Sequence, residues 1–173
     1  MIRKRLSEIR KKNKACTFFI SMAIISLICL SCNTRETYMH YKNIDDSLWS
    51  KNDTLYFEID SSLIEPGIPY AISIEVVNNA AYPYRNIWFY TWDNFKDTIF
   101  EAAEKQYMMA DEYGKWYGSG FGALYQLSFL YNEPISFKEK RNYLIKLVHG
   151  MRDEPLEGIE KVGLKIKEAA SIK

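Results

Sequence analysis

The sequence predicts an all-β fold, an antiparallel β-sandwich preceded by a signal peptide and a short tether. Segments 54–59 and 70–77 alternate between two faces, which is typical of half-buried strands. Turn residues separate such segments at regular spacing, as in Glu65–Pro69. The chain has 173 residues and 47% hydrophobic content, which suits one globular domain.

The first 31 residues are expected to be removed as a signal peptide. A basic stretch leads into an apolar run of fifteen residues, Cys16 to Leu30, broken only by three hydroxyl side chains. A spanning helix needs about 20 residues, whereas the apolar region of a signal peptide needs about 7–15. The length therefore favours a signal peptide, and an uncleaved membrane anchor is the alternative.

The junction after this run points to a lipidated cysteine. Ser31 directly precedes Cys32, which resembles a bacterial lipobox, although Cys29 stands where that pattern prefers leucine. The resemblance implies cleavage after Ser31 and a diacylglyceryl group on Cys32. Cys16 and Cys29 fall in the removed segment, so the mature chain would keep no thiol for a disulfide. Two or more acyl chains anchor a protein stably, because each buried CH₂ contributes about 0.8 kcal/mol.

Charge and composition divide the rest of the chain. The first 31 residues hold seven of the 23 basic residues and one of the 22 acidic ones, so the remainder carries five more acids than bases. That balance argues against nucleic acid as a partner. We expect residues 32–48 to be the lipidated cysteine and tether, and residues 49–173 to be a single β-sandwich domain. No acidic run follows Cys32, which by resemblance to Bacteroidetes sorting signals favours a periplasm-facing protein.

The predicted strands follow in chain order. Segment 54–59 places Leu55, Phe57 and Ile59 on one face, and segment 70–77 continues the alternation. Segment 99–110 is ambiguous, because its first half has helix-forming composition and its second half looks extended. Further strands are predicted near 122–131, 141–149 and 161–167. Several short strands at this spacing indicate an antiparallel β-sandwich.

Segment 86–92 carries large side chains on both faces. One face holds Ile87, Phe89 and Thr91, and the other holds Trp88, Tyr90 and Trp92. A fully buried central strand is the favoured interpretation, because both faces cannot be solvated. The alternative is an aromatic platform for a glycan or a protein partner. Its candidate ligand-binding residues are Trp88, Trp92 and Trp116.

The sequence offers no convincing catalytic or metal site. Neither His40 nor His149 has a partner at metal-ligand spacing, and His149 is expected to be a surface or edge residue at a strand end. The glycine-rich stretch at 118–122 lacks the lysine of a phosphate loop and is expected to be a tight turn. Adjacent acids, such as Asp153 and Glu154, are expected to be solvated. We therefore expect no enzyme, no metal and no cofactor.

Two blocks of the sequence resemble a known family. Residues 111–120, which include Gly114-Lys115-Trp116, and residues 150–166 resemble the gliding-motility lipoprotein H family (GldH) of Bacteroidetes. The resemblance implies a non-enzymatic cell-envelope lipoprotein that is required for motility on surfaces, in a machinery that is coupled to the type IX secretion system. It also implies envelope protein partners and a membrane contact through the lipid anchor. From the charges of the two blocks we predict that Arg152 contacts Asp111 or Glu112.

Overall fold

The computed structural model describes residues 36–169, and these residues form twelve strands and two single 3₁₀ turns. The prediction of an all-β fold is confirmed. The strands are β1 (Glu36–Asn43), β2 (Leu48–Trp49), β3 (Leu55–Ile59), β4 (Pro69–Asn79), β5 (Asn86–Asp93), β6 (Glu101–Met108), β7 (Ser119–Phe121), β8 (Leu124–Leu130), β9 (Ile135–Ser136), β10 (Tyr143–His149), β11 (Leu156–Glu157) and β12 (Ile159–Glu168).

Ten of the strands form two antiparallel sheets that pack face to face, and the short strands β2 and β11 pair with each other. The six-stranded sheet has the order β1-β12-β4-β8-β7, with β9 beside the start of β4, and the four-stranded sheet has the order β3-β10-β5-β6. Tyr107 of β6 stacks on Phe129 of β8, with ring centroids 4.7 Å apart. At the other side of the sandwich, His40 of β1 lies edge-on to Phe57 of β3. The predicted β-sandwich is therefore the observed architecture.

The core lies between the sheets and follows the alternation of the sequence. Phe57 and Ile59 of β3 are buried, and so are the inward residues Tyr70 to Val76 of β4 at every second position. Phe89 is buried opposite Trp49, which closes the core at one end of the sandwich. Full burial of one such side chain contributes about 1.5–3 kcal/mol. No cysteine occurs in residues 36–169, so packing and hydrogen bonds stabilise this domain.

Two segments differ from expectation. Part of the expected tether, residues 36–43, is strand β1, which pairs with β12 from Glu36 opposite Lys167 to Asn43 opposite Lys161. The sequence of an edge strand with polar side chains resembles that of a linker, because only backbone pairing with a neighbouring strand distinguishes the two. The ambiguous segment 99–110 contains the edge strand β6, whose pairing with β5 outweighs its helix-forming composition. Cys32 and the predicted signal peptide lie outside the described residues.

The strand directions define two ends of the sandwich. The N-terminal end holds Glu36, Ala169 and the loops at 60–68, 94–100 and 131–142. These loops meet there, since Phe137 packs on Tyr70 and on Phe95. The opposite end holds the loops at 44–54, 80–85, 109–118 and 150–158. Within residues 36–169, none of the helical segments is long and apolar enough to cross a membrane.

Candidate functional site

Strand β5 has one buried and one exposed face. Ile87, Phe89 and Thr91 are buried, whereas Trp88 is 37% exposed and Tyr90 is 43% exposed. The expectation of a fully buried strand is therefore wrong. Strand β5 is central by hydrogen bonding, because it lies between β10 and β6. The six-stranded sheet covers only one face of the four-stranded sheet, and the other face is left to solvent.

Aromatic side chains continue across this free face. We call them the outer aromatic face: Tyr56, Trp88, Tyr90, Trp92 and Phe100. Lys146 of β10 lies among them, in register with Tyr56 on one side and Trp92 on the other. Its Nζ is 4.2 Å from the ring centroid of Phe100 and 5.8 Å from that of Tyr56. This ammonium group is therefore within cation–π distance of two rings.

A cleft of about 490 Å³ opens at one end of the outer aromatic face. Its lining combines aromatic rings with hydrogen-bonding groups: Tyr84, Asn86, Trp88, Tyr90, Glu104, Gly150, Met151 and Arg152. Gly150 keeps the cleft open, because a Cβ there would lie 3.0 Å from the Tyr90 ring and 3.3 Å from Cβ of Trp88. The backbone N–H of Gly150 donates to the carbonyl of Trp88 at 2.7 Å, which fixes the loop against β5.

The third candidate, Trp116, lies elsewhere. It is half-buried between Tyr82 and Tyr125, with ring centroids 6.2 Å and 5.7 Å away. A β-bridge to Ala110 holds its backbone. The structure thus brings Trp88 and Trp92 together on one face of β5, whereas Trp116 packs the loop at 109–118 onto the core.

The two sequence blocks meet at the opposite end of the sandwich, where the loop at 80–85 joins them. Arg85 donates from Nη1 to the carbonyl of Asp111 at 3.4 Å. Tyr84 donates from its hydroxyl to Asp153 at 2.7 Å, and this hydrogen bond raises the pKa of Tyr84. Within residues 36–169, neither an ion pair nor a hydrogen bond joins Arg152 to Asp111 or Glu112. Arg85, and not Arg152, forms the hydrogen bond to Asp111, and it bonds the backbone rather than the carboxylate.

The acids of these blocks organise loops. The Asp111 carboxylate accepts from the backbone N–H groups of Tyr113 and Lys115, both at 2.9 Å. The Glu154 carboxylate accepts from the Ser50 hydroxyl at 2.7 Å and from the Lys51 N–H at 2.9 Å. These donors lower the pKa of Glu154. The adjacent acids Asp153 and Glu154 therefore accept hydrogen bonds from different residues, Tyr84 and Ser50. The sequence did not indicate these bonds.

His149 is buried, which corrects its expected place at the surface. Only 1% of the residue is exposed, and its ring lies 5.2 Å from that of Trp49. Within residues 36–169 neither ring nitrogen forms a hydrogen bond of good geometry, although the backbone of Trp49 lies close to the ring. Burial lowers the pKa of this histidine, because the charged form would lose its hydration. Among the described residues, no three His, Cys, Asp or Glu side chains gather to hold a metal ion.

The outer face of the six-stranded sheet is organised differently. Glu75 of β4 is only 1% exposed, and it forms an ion pair with Lys165 of β12. It also accepts from the Ser128 hydroxyl at 2.6 Å and from Nε2 of Gln126 at 3.4 Å. The same Gln126 nitrogen donates to the Tyr41 hydroxyl at 2.8 Å. This polar network spans four strands, and no local sequence pattern predicted it.

Gly163 creates the space for the Tyr41 ring in that network. The two residues are register partners in β1 and β12, and a Cβ on Gly163 would lie 2.6 Å from the Tyr41 ring. A glycine inside a strand is often a site of such close approach. This contact gives a structural reason for Gly163 in the second sequence block.

The chain is similar to known proteins along most of its length. The family model described as GldH lipoprotein matches residues 36–166. A gliding motility lipoprotein GldH homolog of Christiangramia forsetii is 28% identical over 160 residues, covering 88% of this chain and 96% of that protein. The gliding motility lipoprotein GldH of Flavobacterium johnsoniae is 23% identical over 154 residues, covering 85% of this chain and 94% of that protein.

Solved structures give a weaker likeness. The ANX2 ectodomain of Arabidopsis thaliana matches with a TM-score of 0.39 and 11% identity, over 79% of this chain and 34% of that one. Dimeric latent PorU of Porphyromonas gingivalis matches with a TM-score of 0.35 and 6% identity, over 79% of this chain and 13% of that one. At these scores the likeness carries no argument about function. The match to the family model spans almost the whole described domain, and the chain belongs to the GldH lipoprotein family.

Proposed function

We propose that this protein is a non-enzymatic, periplasm-facing lipoprotein of the cell envelope that acts as a component of the gliding-motility apparatus. The observation that carries the proposal is the family match over residues 36–166, together with two gliding motility lipoproteins that are matched over 96% and 94% of their length. In this proposal the β-sandwich, residues 36–169, is the working domain, and residues 1–31 are the signal peptide that is removed.

The lipid anchor on Cys32 is tested in a host that lipidates such proteins. The Cys32→Ala variant is expected to lose incorporation of labelled palmitate and to shift out of the membrane fraction. The Cys29→Ala variant is the matched control, because that cysteine lies in the segment expected to be removed. Palmitate incorporation that survives in Cys32→Ala would contradict the proposed anchor.

A non-enzymatic role agrees with the bonding of the acidic side chains. Asp111 holds a loop, Asp153 accepts from Tyr84, and Glu154 joins the loop at 150–158 to the segment after β2. Side chains that are occupied in this way position the backbone. General acid–base chemistry requires a group directed at a substrate.

The outer aromatic face is the proposed contact with an envelope partner. Exposed Trp, Tyr and Arg side chains are the types that dominate the energetics of protein interfaces. Affinity purification of the lipidated protein from its own membranes is expected to recover motility or secretion components. The Trp88→Ser variant is expected to recover less of them, whereas Leu124→Ser, at a similarly exposed residue of the six-stranded sheet, is expected to recover as much as wild type.

The orientation toward the periplasm is tested with protease added to whole cells. A periplasm-facing domain is expected to be digested only after the outer membrane is opened. Digestion of the domain in intact cells would contradict this part of the proposal and leave the anchor unaffected.

A glycan-binding lipoprotein is the second candidate, and the cleft at Trp88 favours it. An aromatic floor with polar groups at its rim, here Asn86, Glu104 and Arg152, suits a sugar ring and its hydroxyls. Retention of the protein on immobilised envelope polysaccharide is expected to fall in Trp88→Ala and to persist in Leu124→Ala. Equal retention of the two variants would exclude this cleft as the glycan site.

A further inference from the structure

The two ends of the sandwich lie at very different distances from the proposed lipid anchor. Only residues 33–35 separate Cys32 from Glu36, the first residue of β1. An extended chain spans at most about 3.6 Å per residue, so Glu36 lies within about 15 Å of the acylated cysteine. Strand β4 has 11 residues, so the opposite end of the sandwich is about 35 Å from the N-terminal end. The tether therefore keeps the N-terminal end within reach of the headgroup layer.

At this end the loop at 94–100 presents an apolar tip. Ile99 is 73% exposed, and Phe100 next to it is 37% exposed, with its ring turned to Lys146 on the outer aromatic face. Both residues belong to types that are normally buried. Phe95 of the same loop is buried against Tyr131 and Phe137, so the core position that this loop can fill is already occupied.

Hydrogen bonds hold the tip in its outward position. Arg141 donates from Nη2 to the carbonyls of Asn94 and Asp97, at 2.6 Å and 2.7 Å. Across the base of the loop, Lys96 forms an ion pair of 2.8 Å with Glu101. Because both sides of the loop are tied down, folding Ile99 back onto the domain would break these contacts.

The end around the tip has no excess of positive charge. Its loops at 60–68, 94–100 and 131–142 together hold four basic and five acidic side chains. A surface that binds anionic lipid by charge carries an excess of Lys and Arg. The chemistry of this end therefore fits the apolar part of a bilayer interface, whatever the headgroup charge.

We propose that the loop tip at Ile99 inserts into the bilayer that holds the lipid anchor, while the ring of Phe100 stays against Lys146 on the outer aromatic face. The insertion is a second membrane contact beside the acyl chains, and it sets the orientation of the domain. The opposite end, where the two sequence blocks meet, is thereby directed away from the membrane. This inference rests on the proposed lipidation of Cys32.

The test uses the absence of any other thiol in the mature, acylated chain. The full lipidated protein is prepared with Ile99→Cys or with the neighbouring Thr98→Cys, and the new thiol carries a polarity-sensitive fluorophore. The matched control is Tyr113→Cys, which is 87% exposed at the opposite end. Each protein is reconstituted into phosphatidylcholine vesicles that contain spin-labelled lipid. We expect severalfold stronger quenching at positions 98 and 99 than at position 113, with no change when anionic lipid is added.

Vesicle flotation is measured on the same samples. It distinguishes a failure of the lipid anchor on Cys32 from a failure of the insertion of the loop tip. Protein that floats but shows equally weak quenching at all three positions overturns the insertion of the tip and leaves the anchor standing. Protein that does not float overturns the anchor and, with it, the insertion.

Discussion

The two outer faces of the sandwich are both formed by antiparallel strands, but their side chains differ in chemistry. On the six-stranded sheet, the buried Glu75 is compensated by Lys165, Ser128 and Gln126. On the four-stranded sheet, Trp88 and Tyr90 stay exposed. The six-stranded sheet exposes single aliphatic side chains, Met39, Leu124 and Leu130, whereas the exposed rings of the four-stranded sheet lie side by side along β5 and leave apolar area that a partner can cover. The comparison therefore separates a face built around a buried ion pair from a face built around exposed aromatic rings.

The largest expected loss of stability comes from removing the ion pair between Lys165 and Glu75 on the six-stranded sheet. The Lys165→Met variant leaves the carboxylate of Glu75 buried and unpaired. Removing one partner of a buried ion pair is expected to lower the free energy of unfolding by about 3 kcal/mol. Urea unfolding followed by circular dichroism measures this change.

The matched control is Lys146→Met, at the lysine on the other outer face. Its ammonium lies over the rings of Phe100 and Tyr56, and a cation–π contact at an exposed site contributes about 0.5–1 kcal/mol. We expect Lys146→Met to cost less than about 1 kcal/mol. If Lys165→Met and Lys146→Met lower the free energy of unfolding equally, the buried ion pair contributes no more to stability than the exposed cation–π contact.

Acidification provides a second test, because the four-stranded sheet carries the buried His149. Burial lowers the pKa of this residue below its ordinary value of 6.5 in the folded state. As pH falls below about 6.5, the unfolded chain binds the proton more readily than the folded one, so the free energy of unfolding falls. The slope can reach about 1.4 kcal/mol per pH unit, until the folded state is protonated too. Urea unfolding at a series of pH values measures it.

Two variants identify the residue that causes this pH dependence of stability. In His149→Phe the loss between pH 6.5 and 4.5 is expected to shrink markedly. In Glu154→Gln it is expected to persist there, because the lowered pKa of Glu154 contributes stability that is lost only as pH falls below the ordinary value of 4.5. An unchanged slope in His149→Phe would show that another group causes the acid sensitivity.

The smallest effect on stability is expected on the outer aromatic face. Tyr90→Ala removes a partly exposed ring from the surface, and such changes usually cost about 1 kcal/mol or less. Thermal unfolding measures this cost, and recovery of envelope partners measures the loss of binding. A loss above about 3 kcal/mol would mean that Tyr90 stabilises the fold, and the contrast between the two faces would fail.

Alternation along the chain was enough to predict most of the strands. The inward face of β4, from Tyr70 to Val76, is buried at every second residue as expected. Local pattern did not identify β1, because a polar edge strand differs from a tether only through its pairing with β12. Local pattern also could not predict whether Trp88 is buried or exposed, because burial depends on whether a second sheet covers that face of β5.

The sequence by itself determined the all-β class, the family resemblance carried by residues 111–120 and 150–166, and the prediction of a lipidated Cys32. Each of these depends only on residues that are close together in the chain. Only the tertiary structure decided which aromatic face is exposed, that Glu75 is paired across strands, that His149 is buried, and that Ile99 lies at the N-terminal end. The physical reason is distance along the chain. Glu75 and Lys165 are ninety residues apart, and only the order of strands in the sheets brings such groups together.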